Sequence, residues 1–144
     1  MCVTKRPTRA DDHLYIPCPS PCSVHVQPGS KSVTISSQAG STEWRSTQNA
    51  NEGGDYGHHM SRAACNIGQA LMAEELRSKG VAVGILHPGF NRTDMTKKYA
   101  HIWDIEGAVE TSVGAMRVLH EVQKVSIVNS GDFINCEDGL PIPW

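Results

Sequence analysis

Long apolar runs are missing from this chain of 144 residues: no stretch approaches the ~18 residues that a membrane-spanning helix needs. The first residues, MCVTKRPTRADDHLYIPCPSPC, contain a basic pair but no continuous apolar core, so a secretory leader is not expected. A dominant charge is missing too. Thirteen Lys and Arg against fifteen Asp and Glu leave a formal charge of -2, which gives no basic field for nucleic acid or an anionic membrane surface. The five cysteines (Cys2, Cys18, Cys22, Cys65, Cys136) are odd in number and irregularly spaced, which does not suit a disulfide framework. Cytoplasm is the expected compartment. The length predicts one domain at most, and less than the whole of the domain it descends from.

What is present divides near residue 30. Pro7, Pro17, Pro19, Pro21 and Pro28 are five of the eight prolines, and repeated proline resists both helix and sheet ladder. Residues 1–30 are therefore expected to be irregular or disordered. Cys18 and Cys22 with His13 and His25 lack a second ligand pair at zinc-site spacing, so no metal site is expected. From Ser32 the pattern changes. Ser32–Ser36 (SVTIS) predicts a strand, residues 41–57 a long polar loop, and residues 58–79 an amphipathic helix, with Ala63, Ile67, Ala70 or Leu71 and Glu74 about a turn apart. Gly80 is placed to end that helix. Val81–Leu86 (VAVGIL) is continuously apolar, which predicts a parallel strand covered on both faces. A loop over 87–98, a second helix over about Ile105–Gln123 and an edge strand over Gly131–Asn135 complete the pattern. With right-handed crossovers this gives three parallel strands of an α/β, doubly wound sheet over residues 31–144.

Polar residues gather at the carboxyl ends of these strands, where open α/β sheets bind ligands. Ser36 and Ser37 end the first strand; a hydroxyl there can donate to a substrate oxygen or merely satisfy backbone groups. His58 and Arg62, four residues apart, share a face at the helix start, either to hold an anion or polarise a carbonyl, or as a solvated helix end. His59 and Ser61 are expected to point elsewhere. Tyr56 is six residues before Arg62, about 240° around a helix, and cannot share its face. His87-Pro88-Gly89 forces a turn across the sheet edge, after which Thr93 and Asp94 are placed to cap a short helix.

In this order the pieces resemble the C-terminal half of the short-chain dehydrogenase/reductases, and most closely their C-factor/sniffer-like carbonyl-reductase branch. Ile35-Ser36-Ser37-Gln38-Ala39-Gly40 matches the branch's I-S-S-x-x-G. His58 to Asn66 stands where it has Y-x-x-S-K-A-A-x-N. His87 to Met95 matches H-P-G-x-x-x-T-D-M outright, and Gly131, Phe133, Asp138, Gly139, Pro141, Pro143 and Trp144 match its tail. The resemblance covers about residues 30–144. It implies a partial Rossmann-like fold and NAD(P)-dependent reduction of a carbonyl or oxidation of an alcohol. In that family a Tyr is the acid/base, a Lys lowers its pKa and a Ser orients the substrate. By position, Ser37 is the orienting serine, and Pro88, Gly89 and Thr93 line the nicotinamide site.

Two departures qualify that implication. His58 stands at the Tyr position and Arg62 at the Lys position; histidine can shuttle a proton near neutral pH, but the phenol's length and the ammonium's reach are lost. Before residue 52 the only glycines are Gly29 and Gly40, so the family's G-x-x-x-G-x-G turn for the dinucleotide is absent. The expectation is an NAD(P)-type oxidoreductase for a small-molecule carbonyl substrate that is inactive as this chain alone. The alternative is a non-catalytic pseudo-reductase acting as a binding module. In either case the helix 58–79 is a candidate surface for a homo- or hetero-oligomer.

Overall fold

In a computed structural model, residues 27–47 and 53–144 are described; the expectation for the proline-rich N-terminus falls almost wholly outside them. The chain builds β1 (Lys31–Ile35), α1 (Thr42–Thr47), α2 (Tyr56–Arg77), β2 (Ala82–His87), β3 (Asn91–Arg92), β4 (Val109–Glu110), α3 (Thr111–Lys124) and β5 (Phe133–Asn135). Turns of 3₁₀ helix occupy Gln38–Gly40 and Lys97–Ile102. The main sheet is parallel with order β1-β2-β5, Lys31 facing Ala82 at one end and His87 facing Asn135 at the other. It is the α/β, Rossmann-like arrangement of parallel strands and flanking helices that the hydropathy pattern predicts.

The continuous apolar run explains why β2 is central. Every residue of β2 is buried, and because alternate side chains leave opposite faces, both faces must be covered. The helices α2 and α3 pack on it. Val81, Val83, Ile85, Leu86 and Phe133 are at most 2% exposed; burial of this kind stabilises by roughly 1.5–3 kcal/mol per side chain. Gly84 is the exception to bulk: a Cβ there would stand 2.6 Å from Cγ2 of Val125, so glycine lets the end of α3 close on the sheet. Ile85, Phe133 and Ile142 form the core cluster, with Trp44 of α1 against it. The chain's last residue closes the assembly, since the Trp144 carbonyl accepts from Glu43 N and Thr42 Oγ1, both at 2.9 Å.

Helix α2 ends by the expected glycine device. Gly80 has φ +71° and its N–H reaches Arg77 O at 3.0 Å, a left-handed stop that side chains with a Cβ resist. Its two fully buried residues are small or polar: Asn66 and Ala73 are 1% exposed, whereas Ile67 and Leu71 of the predicted apolar side are 54% and 62% exposed.

Three local expectations are corrected. The predicted loop 41–57 contains α1, because Ser41 Oγ accepts Trp44 N–H at 3.1 Å and Glu43 complements the first turn. The second helix starts at Thr111 rather than Ile105. Gly107 at φ +70° breaks the chain, and residues 109–110 pair with Asn91 and Arg92 instead, leaving Ile105 80% exposed. The short helix after the Pro-Gly turn has Thr96, not Thr93 or Asp94, at its N-cap position and without a side-chain cap bond; Thr93 Oγ1 and carbonyl instead accept from Thr96 N at 3.3 and 3.1 Å.

Candidate functional site

A cleft of about 270 Å³ opens at the carboxyl ends of β1 and β2. Its floor is the strand ends and the turns that leave them: Ser37, Gln38 and Ala39 after β1, and His87, Gly89 and Phe90 after β2. Trp44 and Arg45 of α1, His59 of α2, Glu106 and Glu137 form the rest.

Ser37 sits where the sequence places it. Its Oγ accepts Ala39 N–H at 3.1 Å and caps the 3₁₀ turn, which occupies a lone pair and leaves the hydroxyl proton available to a ligand oxygen. The structural and functional readings of this serine are thus compatible. Its neighbour Ser36 is buried and committed inward, donating to Asn66 Oδ1. That bond ties the end of β1 to α2. Gly40 permits the same approach, since a Cβ there would meet Arg62 backbone carbon at 2.7 Å and Asn66 Nδ2 at 2.5 Å.

At the start of α2 the cleft receives His59, not His58. The expectation that His59 points away is corrected by the helix entry. Asp55 takes a left-handed conformation, φ 45°, and its carbonyl stands 2.9 Å from Nδ1 of His59. A carbonyl only accepts, so Nδ1 carries the proton and Nε2 is the acceptor nitrogen of the neutral ring. His58 is exposed, edge-on to His59 with ring centroids 5.7 Å apart. Arg62 is half-buried against the Gly40 turn, its Nε buried without a hydrogen-bond partner. Neither lines the cleft. Tyr56 is 73% exposed.

The turn after β2 holds Pro88, Gly89 and Thr93. Gly89 has φ +80°, and Asn91 Nδ2 donates to Pro88 O and Gly89 O, both at 3.0 Å, which fixes the turn. Thr93 lies outside the cleft lining, its hydroxyl 3.3 Å from Thr96 Oγ1. Two cleft residues carry no role in the sequence reading. His87, 9% exposed, has a buried Nδ1 without a partner, and burial pushes its pKa below the ordinary value of 6.5 against the opposing pull of Glu137 and Asp138. Glu137 lies over Gly89: a Cβ on that glycine would be 2.3 Å from Glu137 Cγ. Its Oε1 accepts Phe90 N–H at 3.1 Å and is 4.0 Å from Arg117 Nη1. The strand-end position of His87 was a legible signal; Glu137, forty-eight positions from Gly89 (137 - 89), had none.

The Pro88-Gly89 turn offers exposed backbone at the strand end, but Glu137 fills the space above it and takes the Phe90 N–H. No glycine-rich turn stands at the end of β1, and β1 has no strand on its other edge among the described residues. The described residues therefore do not fit a whole dinucleotide. No group of three or more His, Cys, Asp or Glu among them is arranged to hold a metal ion, and no described helix is long and apolar enough to cross a membrane.

No family model matches the chain. C-signal of Myxococcus xanthus is 32% identical over 93 residues, 65% of this chain and 51% of that protein. Among solved structures, the carbonyl reductase Sniffer of D. melanogaster superposes with a TM-score of 0.65 at 24% identity, covering 82% of this chain and 44% of the other. An NADPH-bound carbonyl reductase from chicken fatty liver superposes with a TM-score of 0.64 at 26% identity, covering 79% of this chain and 42% of the other. The chain thus spans about half the length of these proteins. With its I-S-S-x-x-G strand end, its H-P-G turn and its parallel sheet, it is similar to the C-terminal half of the short-chain dehydrogenase/reductases, in the sniffer-like carbonyl-reductase branch.

Proposed function

We propose that the chain carries the substrate side of an NAD(P)-type carbonyl or alcohol oxidoreductase site and does not turn over on its own. One observation carries this reading: Ser37, with a hydroxyl proton to donate, and His59, with an acceptor nitrogen, line the same strand-end cleft. In such a site Ser37 would hold the oxygen of a small-molecule carbonyl substrate and His59 would exchange a proton with it. Trp44 and Phe90 give the cleft apolar walls. Hydride chemistry needs a nicotinamide, and the described residues do not fit the whole cofactor, so no step is assigned to it. Cytoplasm is the proposed compartment, in keeping with the free thiols of Cys65 and Cys136. We also propose α2 as the face that meets a second subunit, because its large apolar residues Met60, Ile67 and Leu71 are exposed.

The test is titration of the purified chain with an aromatic ketone, and separately with NADPH and NADH, followed by fluorescence and thermal stability. The ketone should bind without being reduced, and Ser37→Ala should weaken it by about tenfold, the worth of one hydrogen bond of about 1.4 kcal/mol. Neither nucleotide should saturate. The pair His58→Tyr and Arg62→Lys should still give no turnover. Ketone binding indifferent to Ser37, or reduction by the chain with NADPH, would overturn the reading.

A further inference from the structure

Helix α1 supplies one wall of the cleft, Trp44 and Arg45, yet it is only six residues long. A lone helix is marginal in water below roughly 12–15 residues, so the place of α1 is set by what holds it from outside. Its first turn leaves backbone N–H groups without a partner inside the helix. Ser41 Oγ takes that of Trp44 at 3.1 Å, a local cap. The N–H of Glu43 is taken by the far end of the chain. Trp144 O accepts it at 2.9 Å and also accepts the Thr42 hydroxyl at 2.9 Å, from 102 positions away in sequence. The tail that brings this carbonyl is itself fixed. Asn135 N–H donates to Leu140 O at 2.9 Å and Ile142 N–H to Phe133 O at 2.7 Å, which folds the tail back on β5. Ile142 is 2% exposed in the core cluster, and the Trp144 and Phe133 ring centroids are 6.0 Å apart. Trp44 packs against the same cluster.

We propose that Trp144 is a positioning residue for the cleft: its carbonyl pins the start of α1 and so keeps Trp44 in place as an apolar wall for the substrate. The inference rests on the reading of the cleft as a carbonyl-substrate site and adds how one wall of it is held. Thr42 and Glu43 are exposed, so water can replace the Trp144 carbonyl as their acceptor at little cost to the fold. Water cannot replace it as a fixed point. Loss of this acceptor therefore loosens the wall more than it destabilises the sheet. A cleft whose wall is in place for only a fraction of the time binds more weakly in proportion to that fraction.

The experiment separates the wall from the fold. Two variants break the tie: deletion of Trp144, and Thr42→Val, which removes the hydroxyl donor and leaves the tail whole. In both, the Trp44 indole N–H resonance should move and broaden. Affinity for an aromatic ketone should fall by about tenfold in the deletion, as it does when α1 is docked about a tenth of the time, and by less in Thr42→Val. The urea midpoint of Thr42→Val should stay at the wild-type value. Thr42→Ser keeps the hydroxyl and should return both the resonance and the affinity to wild type. A Trp44 resonance unmoved in the two tie-breaking variants overturns the proposal. So does a Thr42→Ser chain that behaves as Thr42→Val does, and so does a ketone affinity unchanged while the resonance moves. If the deletion does not fold, the Thr42→Val and Thr42→Ser pair decides by the same criteria. A ketone that does not bind the wild-type chain removes the oxidoreductase reading, and the Trp44 resonance then decides alone whether Trp144 holds α1.

Discussion

At the residue scale, His87 shows how one position serves fold and cleft together. It ends β2, pairs in register with Asn135, and accepts Cys136 N–H on its carbonyl at 2.8 Å, so its backbone is structural. Its ring is buried and held neutral by desolvation, which lowers its pKa. The sign of the resulting pH dependence follows. Below the unfolded value of 6.5 the unfolded chain binds a proton that the native ring does not, so stability rises with pH there. The ring's contribution is complete above pH 6.5 and is lost as pH falls below it toward the depressed native value. Urea unfolding across that window should show this slope, and His87→Phe should flatten it; an unchanged slope in the variant would place the titration elsewhere. Cys136 behaves in the opposite direction. Its thiol is pushed up to about 12, chiefly by burial, so it should resist alkylation in the native chain at neutral pH and react only on unfolding. The sequence made His87 and Ser37 visible because strand ends are visible. It could not show Glu137, whose contact with Gly89 is made only when the last loop folds back on the β2 turn.

Elements are legible where one pattern dominates and illegible where a local break competes. The apolar run of β2 and the long period of α2 left little choice, and their boundaries fall within two residues of expectation. For α3 the stripe of Ile105, Val109, Val113, Met116 and Leu119 has helical spacing throughout, yet Gly107 interrupts it and backbone pairing with Asn91 and Arg92 claims Val109 and Glu110. Periodicity measures side-chain placement and is blind to such a backbone alternative. The identity of the cleft histidine was lost for a related reason: the left-handed Asp55 sets how α2 enters, and a non-glycine residue in that conformation carries no sequence signature. The packing of α2 on the β1 turn is tested at Gly40. Gly40→Ala places a methyl against the Arg62 backbone, which cannot move as a side-chain tip can. The expected cost is about 1–3 kcal/mol, read as a lowered urea midpoint with unchanged slope. A neutral effect would mean that α2 and the turn are not in fixed contact.

For the whole molecule, the distribution of bulk on α2 is the deciding observation. The two fully buried residues of α2 are the small or polar Asn66 and Ala73, with Ala63, Ala70, Met72 and Leu76 half-buried. A Cβ on Gly131 would stand 3.3 Å from Ala73 Cβ, so helix and loop approach closely there. The outward face carries Met60 at 70% exposure, Ile67 at 54% and Leu71 at 62%. Their spacing of seven and four residues keeps them on one stripe. At these three positions large apolar side chains face away from the core, where the usual amphipathic helix would carry polar ones. Covering such side chains is worth roughly 1 kcal/mol or more apiece, which supports the proposal that α2 is a contact face. For the isolated chain the expected outcome is therefore self-association through α2. Replacing Ile67→Glu together with Leu71→Glu should give a monomer by sedimentation equilibrium, with helix content unchanged by circular dichroism, because neither side chain supports the sheet. A wild-type chain that sediments as a monomer at high concentration, or a double variant that associates as the wild type does, would remove α2 as the interface.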